Sequence, residues 1–93
     1  MLPKQVELIV HSDPVHSYVE APAELIHALK ITGYITKYSF ISPDAERYYL
    51  ECDIDAAALI DALSDHDVAF QFQEKNYDEL CPIRQYPRAG AIH

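Results

Sequence analysis

Carboxylates that lack nearby cations are the side chains of this sequence with the clearest chemical potential. No Lys or Arg occurs from Tyr48 to Glu74. Seven carboxylates fall inside that stretch, namely Glu51, Asp53, Asp55, Asp61, Asp65, Asp67 and Glu74. Any partner that meets this surface must therefore tolerate or supply positive charge.

Folding requirements explain only some of these acids. Asp55 precedes an apolar helical pattern and is predicted to be its N-cap, since a carboxylate there can accept an orphan backbone N–H. Asp61 and Asp65 are a like-charge pair four residues apart, which costs about 0.2–0.5 kcal/mol. Asp65 and Asp67 also lie near the negative end of the helix dipole.

Two interpretations of the unexplained acids stay open. They form either a solvated face of an acidic protein or a docking ridge for a basic protein surface. The predicted docking residues come from the second helix and the strand before it, and they are Tyr49, Glu51, Asp53, Asp61, Asp65 and Asp67.

His11, Asp13 and His16 form a second candidate group, because two imidazoles and a carboxylate within six residues can hold a transition metal. Cys81 is a conceivable additional ligand. The spacing matches no established type of metal site, and a loop with two surface histidines is the simpler interpretation. We therefore expect no bound metal and no cofactor.

Motifs of known enzyme chemistry are missing from the sequence. It has no Gly-rich phosphate loop, nucleophile elbow or His-Glu-x-x-His helix. Cys81 is a possible exposed thiol, but Asp78 and Glu79 precede it, and a reactive thiolate needs positive charge nearby. A non-catalytic protein is favoured, and an active site assembled between two protomers is kept as an alternative.

The charge balance excludes several classes of partner. Seven Lys and Arg stand against fifteen Asp and Glu, which gives a formal net charge of -8. Nucleic acids and anionic membranes bind through clustered cations, so neither is an expected partner. The N-terminus lacks the apolar core of a signal peptide and no run is long enough to span a membrane, so we expect a reduced, cytoplasmic protein.

The hydrophobic periodicity predicts the elements that must position these side chains. Strands are expected over 5–11, 34–41, 47–54 and 68–73, with a first helix from Pro22 to a left-handed stop at Gly33 and a second helix from Asp55. A short extended piece over 15–19 is left open. The order βαββαβ predicts a ferredoxin-like α+β fold, in which a four-stranded antiparallel sheet carries two helices on one face.

This architecture divides the chain into a single domain over 1–75 and an irregular C-terminal extension over 76–93. The second face of the sheet is expected to meet solvent or a partner. The extension carries Arg84 and Arg88, and it either folds onto the acidic body, crosses to a second protomer or remains disordered.

The leading functional hypothesis is a small acidic regulatory protein that docks on a basic protein, for example as an inhibitor of a protein that handles nucleic acid. It could form a homodimer through the open sheet face or the C-terminal arm. A first alternative is a dimeric regulatory domain that senses a small molecule near the first helix and the His11–Val19 loop. A second alternative is a small enzyme with its site at a protomer interface.

Overall fold

One five-stranded sheet and two α-helices make up the part of the chain that the structure describes. The structure is a computed structural model, and it describes residues 2–89. The elements in chain order are β1 (Gln5–Ser12), β2 (Ser17–Pro22), α1 (Ala23–Ala28), β3 (Phe40–Ile41), β4 (Arg47–Glu51), α2 (Ala56–Asp65) and β5 (Ala69–Asn76). Short 3-10 helices cover Thr32–Tyr34 and Pro82–Gln85. Neither α-helix of the described residues has the length and apolarity needed to cross a bilayer.

The mixed α+β class is confirmed, but the four-stranded antiparallel sheet is wrong. The strand order is β3-β4-β2-β1-β5, and β5 runs parallel to β1. The extra strand is β2, which follows β1 through a tight turn and pairs with it in antiparallel fashion. The segment over 15–19, which the sequence left open, therefore overlaps a central strand of the sheet.

The predicted strand over 34–41 is mostly irregular, and only Phe40–Ile41 pairs with β4. The physical reason is a buried carboxylate. Asp55 is 1% exposed, and its Oδ2 accepts hydrogen bonds from the backbone N–H and the hydroxyl of Thr36, each at 2.9 Å. Ser39 donates its hydroxyl to the same oxygen and accepts the Glu51 N–H at 2.9 Å. These bonds hold the segment to the start of α2 rather than to a strand partner.

The predicted capping role of the Asp55 side chain is wrong. Asp55 immediately precedes α2, but its side chain makes no capping hydrogen bond. The buried stripe of α2 is as the periodicity predicts, with Ala56, Leu59 and Leu63 facing the core.

The first helix ends earlier than predicted. Lys30, with a φ of 59°, is the left-handed residue that ends α1, and Gly33 lies in the following 3-10 turn without positive φ. Backbone bonds from Lys30 N–H to the His27 carbonyl and from Ile31 N–H to the Ile26 carbonyl close the helix. Lys30 therefore holds a left-handed conformation that would be less strained for glycine, and the local backbone hydrogen bonds keep it there.

Each face of the sheet carries a cluster of buried side chains. Both helices pack on one face, around Leu8, Leu50, Ile26, Leu59 and Leu63. On the other face a smaller cluster joins Tyr18, Phe40 and Tyr49 of the sheet to Cys81 and Ile83 of the C-terminal segment. The second face, which was expected to be open, is therefore covered by the same chain over β3, β4 and β2, whereas β5 stays largely exposed.

Candidate functional site

Asp61 and Asp65 lie one helical turn apart on the exposed side of α2, where they line a shallow groove. The groove has a volume of about 340 Å³, and it separates α2 from the 3-10 turn that follows α1. Its lining residues are Ile31, Tyr34, Ala58, Asp61, Ala62 and Asp65. Tyr34 is 71% exposed, so an aromatic ring stands beside two carboxylates at the rim.

These two carboxylates have no cationic partner in the described part of the chain. The ion pairs within residues 2–89 join Arg47 to Glu20, Arg84 to Asp13 and, when its imidazole is protonated, His11 to Glu20. Arg47 and Arg84 are thus engaged elsewhere, and Arg88 donates a hydrogen bond to the Lys37 carbonyl at 3.0 Å. The groove combines uncompensated negative charge with an accessible aromatic face.

The other predicted docking residues do not join this groove. Asp53 precedes α2 and Asp67 follows it, and a ten-residue helix separates them by about 15 Å. Asp67 has a φ of 57°, and the backbone bond from Val68 N–H to the Leu63 carbonyl, 2.9 Å, closes α2 around it. Aspartate tolerates this left-handed conformation better than most residues, which gives Asp67 a role in ending the helix.

Tyr49 and Glu51 lie on the opposite face of the sheet, beneath the C-terminal segment. They are 7% and 6% exposed, respectively. Burial, and then the charge of Glu20, raises the pKa of Tyr49 to about 12. Neither side chain offers an accessible surface to a macromolecular partner.

His11 and Asp13 are occupied by contacts within the chain. The His11 ring contacts the Tyr77 hydroxyl through Nδ1 at 2.9 Å and the Glu20 carboxylate through Nε2 at 2.7 Å. Asp13 accepts hydrogen bonds from Arg84 and from three backbone N–H groups. The three residues of the predicted His11–Asp13–His16 group therefore do not converge on one point. Cys81, the fourth candidate ligand, is 1% exposed and is not the accessible thiol that the sequence suggested.

His16 instead approaches Glu51 and Asp53. One ligand atom from each of the three side chains lies within 4.8 Å of the others. His16 and Glu51 also line a cleft of about 260 Å³ on the face that the C-terminal segment covers. The remaining lining residues of the cleft are Tyr18, Tyr38, Phe40, Arg84 and Arg88.

Comparison with known proteins adds no relative to these observations. No protein-family model, no curated protein and no solved structure matches this chain. The chemistry of the groove and of the cleft is therefore argued from the side chains themselves.

Sequence reasoning did not name Tyr34 as a site residue, and it named His16 in one candidate group but Glu51 and Asp53 in another, so neither combination was predicted. Tyr34 was assigned to a strand, and only the 3-10 turn places its ring beside α2. His16 and Glu51 are brought together by the pairing of β2 with β4, in which Tyr18 lies opposite Glu51. No local sequence pattern signals a contact across 35 residues.

Proposed function

We propose that this chain is a small, acidic, non-catalytic binding protein that docks on a basic surface of a protein partner through the α2 groove. The observation that supports the proposal is the groove itself, in which Asp61, Asp65 and the exposed ring of Tyr34 face solvent, and neither carboxylate forms an ion pair within residues 2–89. A Lys or Arg side chain of the partner is the occupant that this chemistry favours.

The groove offers a cationic side chain two kinds of contact. A guanidinium or ammonium group over the Tyr34 face gains about 0.5–1 kcal/mol at an exposed site. An exposed ion pair with Asp61 or Asp65 adds about 0.2–1 kcal/mol. Since each contact is weak, stable docking needs several cations, and a basic protein surface supplies them where a single free cation does not.

The formal net charge of -8 adds long-range attraction. Such charge raises the association rate for a basic partner, and salt screens it over about 8–10 Å. A partner that normally binds phosphate groups presents the required cations. Regulation of a nucleic-acid-handling protein by occupying its basic surface is therefore the activity we propose.

Affinity capture from the native lysate tests the proposal at low and high salt. The test variant carries Asp61→Lys and Asp65→Lys, and the control variant carries Asp78→Lys and Glu79→Lys at two exposed positions of the C-terminal segment. Both variants change the net charge by the same amount. We expect the α2 variant to lose the salt-sensitive partner and the control to retain most of it.

Equal capture by the two variants would show that any attraction is due to net charge and not to the groove. A second comparison separates the aromatic contribution. Tyr34→Ala should weaken capture, whereas Tyr38→Ala, which removes another exposed ring, 50% exposed, should not. If Tyr34→Ala and the Asp61→Lys, Asp65→Lys variant each capture the partner as well as the wild type does, the docking site is rejected.

A cavity beside α1 supports a second candidate function, the sensing of a small molecule by a dimeric regulatory domain. The cavity has a volume of about 390 Å³. It is lined by Leu2, Pro3, Gln5, Val6, Glu7, Pro22, Glu24, Leu25 and Ala28. A ligand that binds only the folded state raises the melting temperature, so a thermal-shift screen with amino acids and nucleotides tests this function.

Filling the same cavity provides the control for that screen. Ala28→Leu should abolish a ligand-induced shift, and Ala57→Leu on the exposed side of α2 should leave it unchanged. Sedimentation with and without the ligand would establish whether the protein acts as a dimer.

A further inference from the structure

We propose that His16, Glu51 and Asp53 form a binding site for a divalent transition-metal ion, for which Zn²⁺ is the probe. The three side chains each bring one ligand atom to within 4.8 Å of the others. This site shares no residue with the α2 groove. It therefore stands or falls independently of the docking function.

The sheet fixes the backbone of the site. His16 immediately precedes β2, and the Cys52 N–H donates to the Ser17 carbonyl at 3.0 Å, which extends the pairing of β2 with β4. Glu51 is the last residue of β4. Backbone bonds from Ile54 and Asp55 to the Glu51 carbonyl then turn the chain, so that Asp53 lies beside Glu51. The ligands thus come from two adjacent strands and one tight turn.

Glu51 is the observation that points to a cation. Glu51 is only 6% exposed, and it lines the cleft. Oε1 accepts the Asp53 N–H at 2.9 Å, whereas Oε2 has no hydrogen-bond partner within residues 2–89 and retains some contact with solvent, so it is open to a ligand. No Lys or Arg of the described residues forms an ion pair with it. Burying an anion without a paired cation is costly, and a bound dication removes that cost.

The other two ligands are free to turn toward an ion. The His16 ring makes no hydrogen bond within residues 2–89, although the His16 backbone N–H is held by Asp13 at 2.9 Å. The Asp53 side chain is exposed and likewise has no ion-pair partner in the described residues. The remaining candidates, His11 and Asp13, are already engaged by Glu20, Tyr77 and Arg84.

The donor set selects the class of metal. One imidazole nitrogen and two carboxylates suit Zn²⁺ and its first-row neighbours, whereas Mg²⁺ and Ca²⁺ prefer oxygen ligands alone. Two carboxylates neutralise a dication. Three protein ligands also leave a coordination position of a tetrahedral ion open, and the neighbouring cleft contains Arg84 and Arg88, which suit an anionic fourth ligand.

Calorimetric titration of the metal-free protein with Zn²⁺ and with Mg²⁺ tests the site. We expect one Zn²⁺ per chain and at least a tenfold weaker affinity for Mg²⁺. His16→Ala and Asp53→Asn should each weaken Zn²⁺ binding by at least tenfold. The matched controls are His66→Ala and Asp78→Asn, which remove an exposed histidine and an exposed aspartate elsewhere and should bind Zn²⁺ as the wild type does.

Co²⁺ provides a spectroscopic readout of the ligand atoms. The proposed nitrogen and oxygen ligands give visible d–d bands without the near-ultraviolet charge-transfer band of a thiolate. Wild-type affinity in His16→Ala, an equal loss in His66→Ala, or a thiolate band from Cys52 or Cys81 would overturn the proposal. Glu51→Gln should also weaken Zn²⁺ binding. Because Glu51 is buried, circular dichroism that matches the wild type serves as the control for folding of this variant.

Discussion

The guanidinium of Arg84 forms a bidentate ion pair with the fully buried carboxylate of Asp13, in which Nε lies 2.9 Å from Oδ2 and Nη2 lies 3.2 Å from Oδ1. The same carboxylate accepts the Cys81 N–H at 2.9 Å and the N–H groups of Val15 and His16. One side chain of the β1–β2 turn therefore fastens the C-terminal segment, which lies about 70 residues later in the chain, to the sheet.

Breaking this pair should release the C-terminal segment. Asp13→Asn leaves Arg84 without its counter-ion and cannot accept all the hydrogen bonds, so we expect a loss of about 3 kcal/mol in the free energy of unfolding. Arg84→Lys should lose part of that amount, because an ammonium group cannot form the two-pronged contact. Urea unfolding followed by circular dichroism measures both. A loss under 1 kcal/mol for Asp13→Asn would contradict the anchoring role.

Acid should weaken the same contact. The Arg84 hydrogen bond, followed by those of the backbone N–H groups, holds the pKa of Asp13 well below its usual value of 3.8. Because the folded-state pKa is lowered, the stabilisation is complete above pH 3.8 and declines as the pH falls from there. The free energy of unfolding of Asp13→Asn should therefore depend less on pH below 4 than that of the wild type. Parallel acid profiles for the two proteins would refute this.

Alkaline conditions should act through Tyr49. Burial raises its pKa from 10 to about 12, so its contribution to stability is complete below pH 10 and is lost as the pH rises through 12. Two pKa units correspond to about 2–3 kcal/mol. Tyr49→Phe should retain more stability than the wild type at pH 11. Tyrosinate absorbance shows whether one phenol ionises only when the protein unfolds. If the free energy of unfolding of Tyr49→Phe falls with alkaline pH as that of the wild type does, Tyr49 is not the cause of the alkaline loss of stability.

Asp55 should contribute more than a helix cap. Loss of an ordinary N-cap costs about 1 kcal/mol. Asp55→Ala also leaves the donors of half-buried Thr36 and buried Ser39 unpaired, so a loss of about 3 kcal/mol is expected. A double-mutant cycle of Asp55→Ala with Thr36→Val should reveal a coupling of about 1 kcal/mol or more. Additive effects would mean that the carboxylate does not hold the 34–41 segment.

Asp67→Gly should stabilise the protein. The substitution removes the strain of a left-handed residue, φ 57°, and an anion at the negative end of α2, together about 1 kcal/mol. Gly33→Ala is the opposite substitution at a position without strain, because Gly33 has no positive φ and a Cβ there meets nothing within 4 Å. It should stabilise by about 0.4–1 kcal/mol through the unfolded chain. Thermal unfolding measures both, and destabilisation by Asp67→Gly would disprove the assigned role in ending the helix.

Elements with a strong local signal could be predicted from the sequence. The alternation of Val6, Leu8 and Val10 locates β1, and that of Tyr48 and Leu50 locates β4 and the face it buries. The spacing of Ala56, Leu59 and Leu63 likewise locates α2. The strand predicted over 34–41 forms only at Phe40–Ile41, because Thr36 and Ser39 are held by hydrogen bonds to Asp55, a residue 19 positions beyond Thr36.

The sequence alone determined the net charge, the mixed α+β class and the stretch of acids without nearby Lys or Arg, since composition and local periodicity carry that information. Only the tertiary structure decided which acids meet solvent. Glu51 and Tyr49 lie under the C-terminal segment, whereas Asp61 and Asp65 gain Tyr34 as a neighbour. Those outcomes depend on strand pairing and on one partly buried ion pair, between Asp13 and Arg84, which are 71 positions apart, and such long-range contacts leave no local pattern.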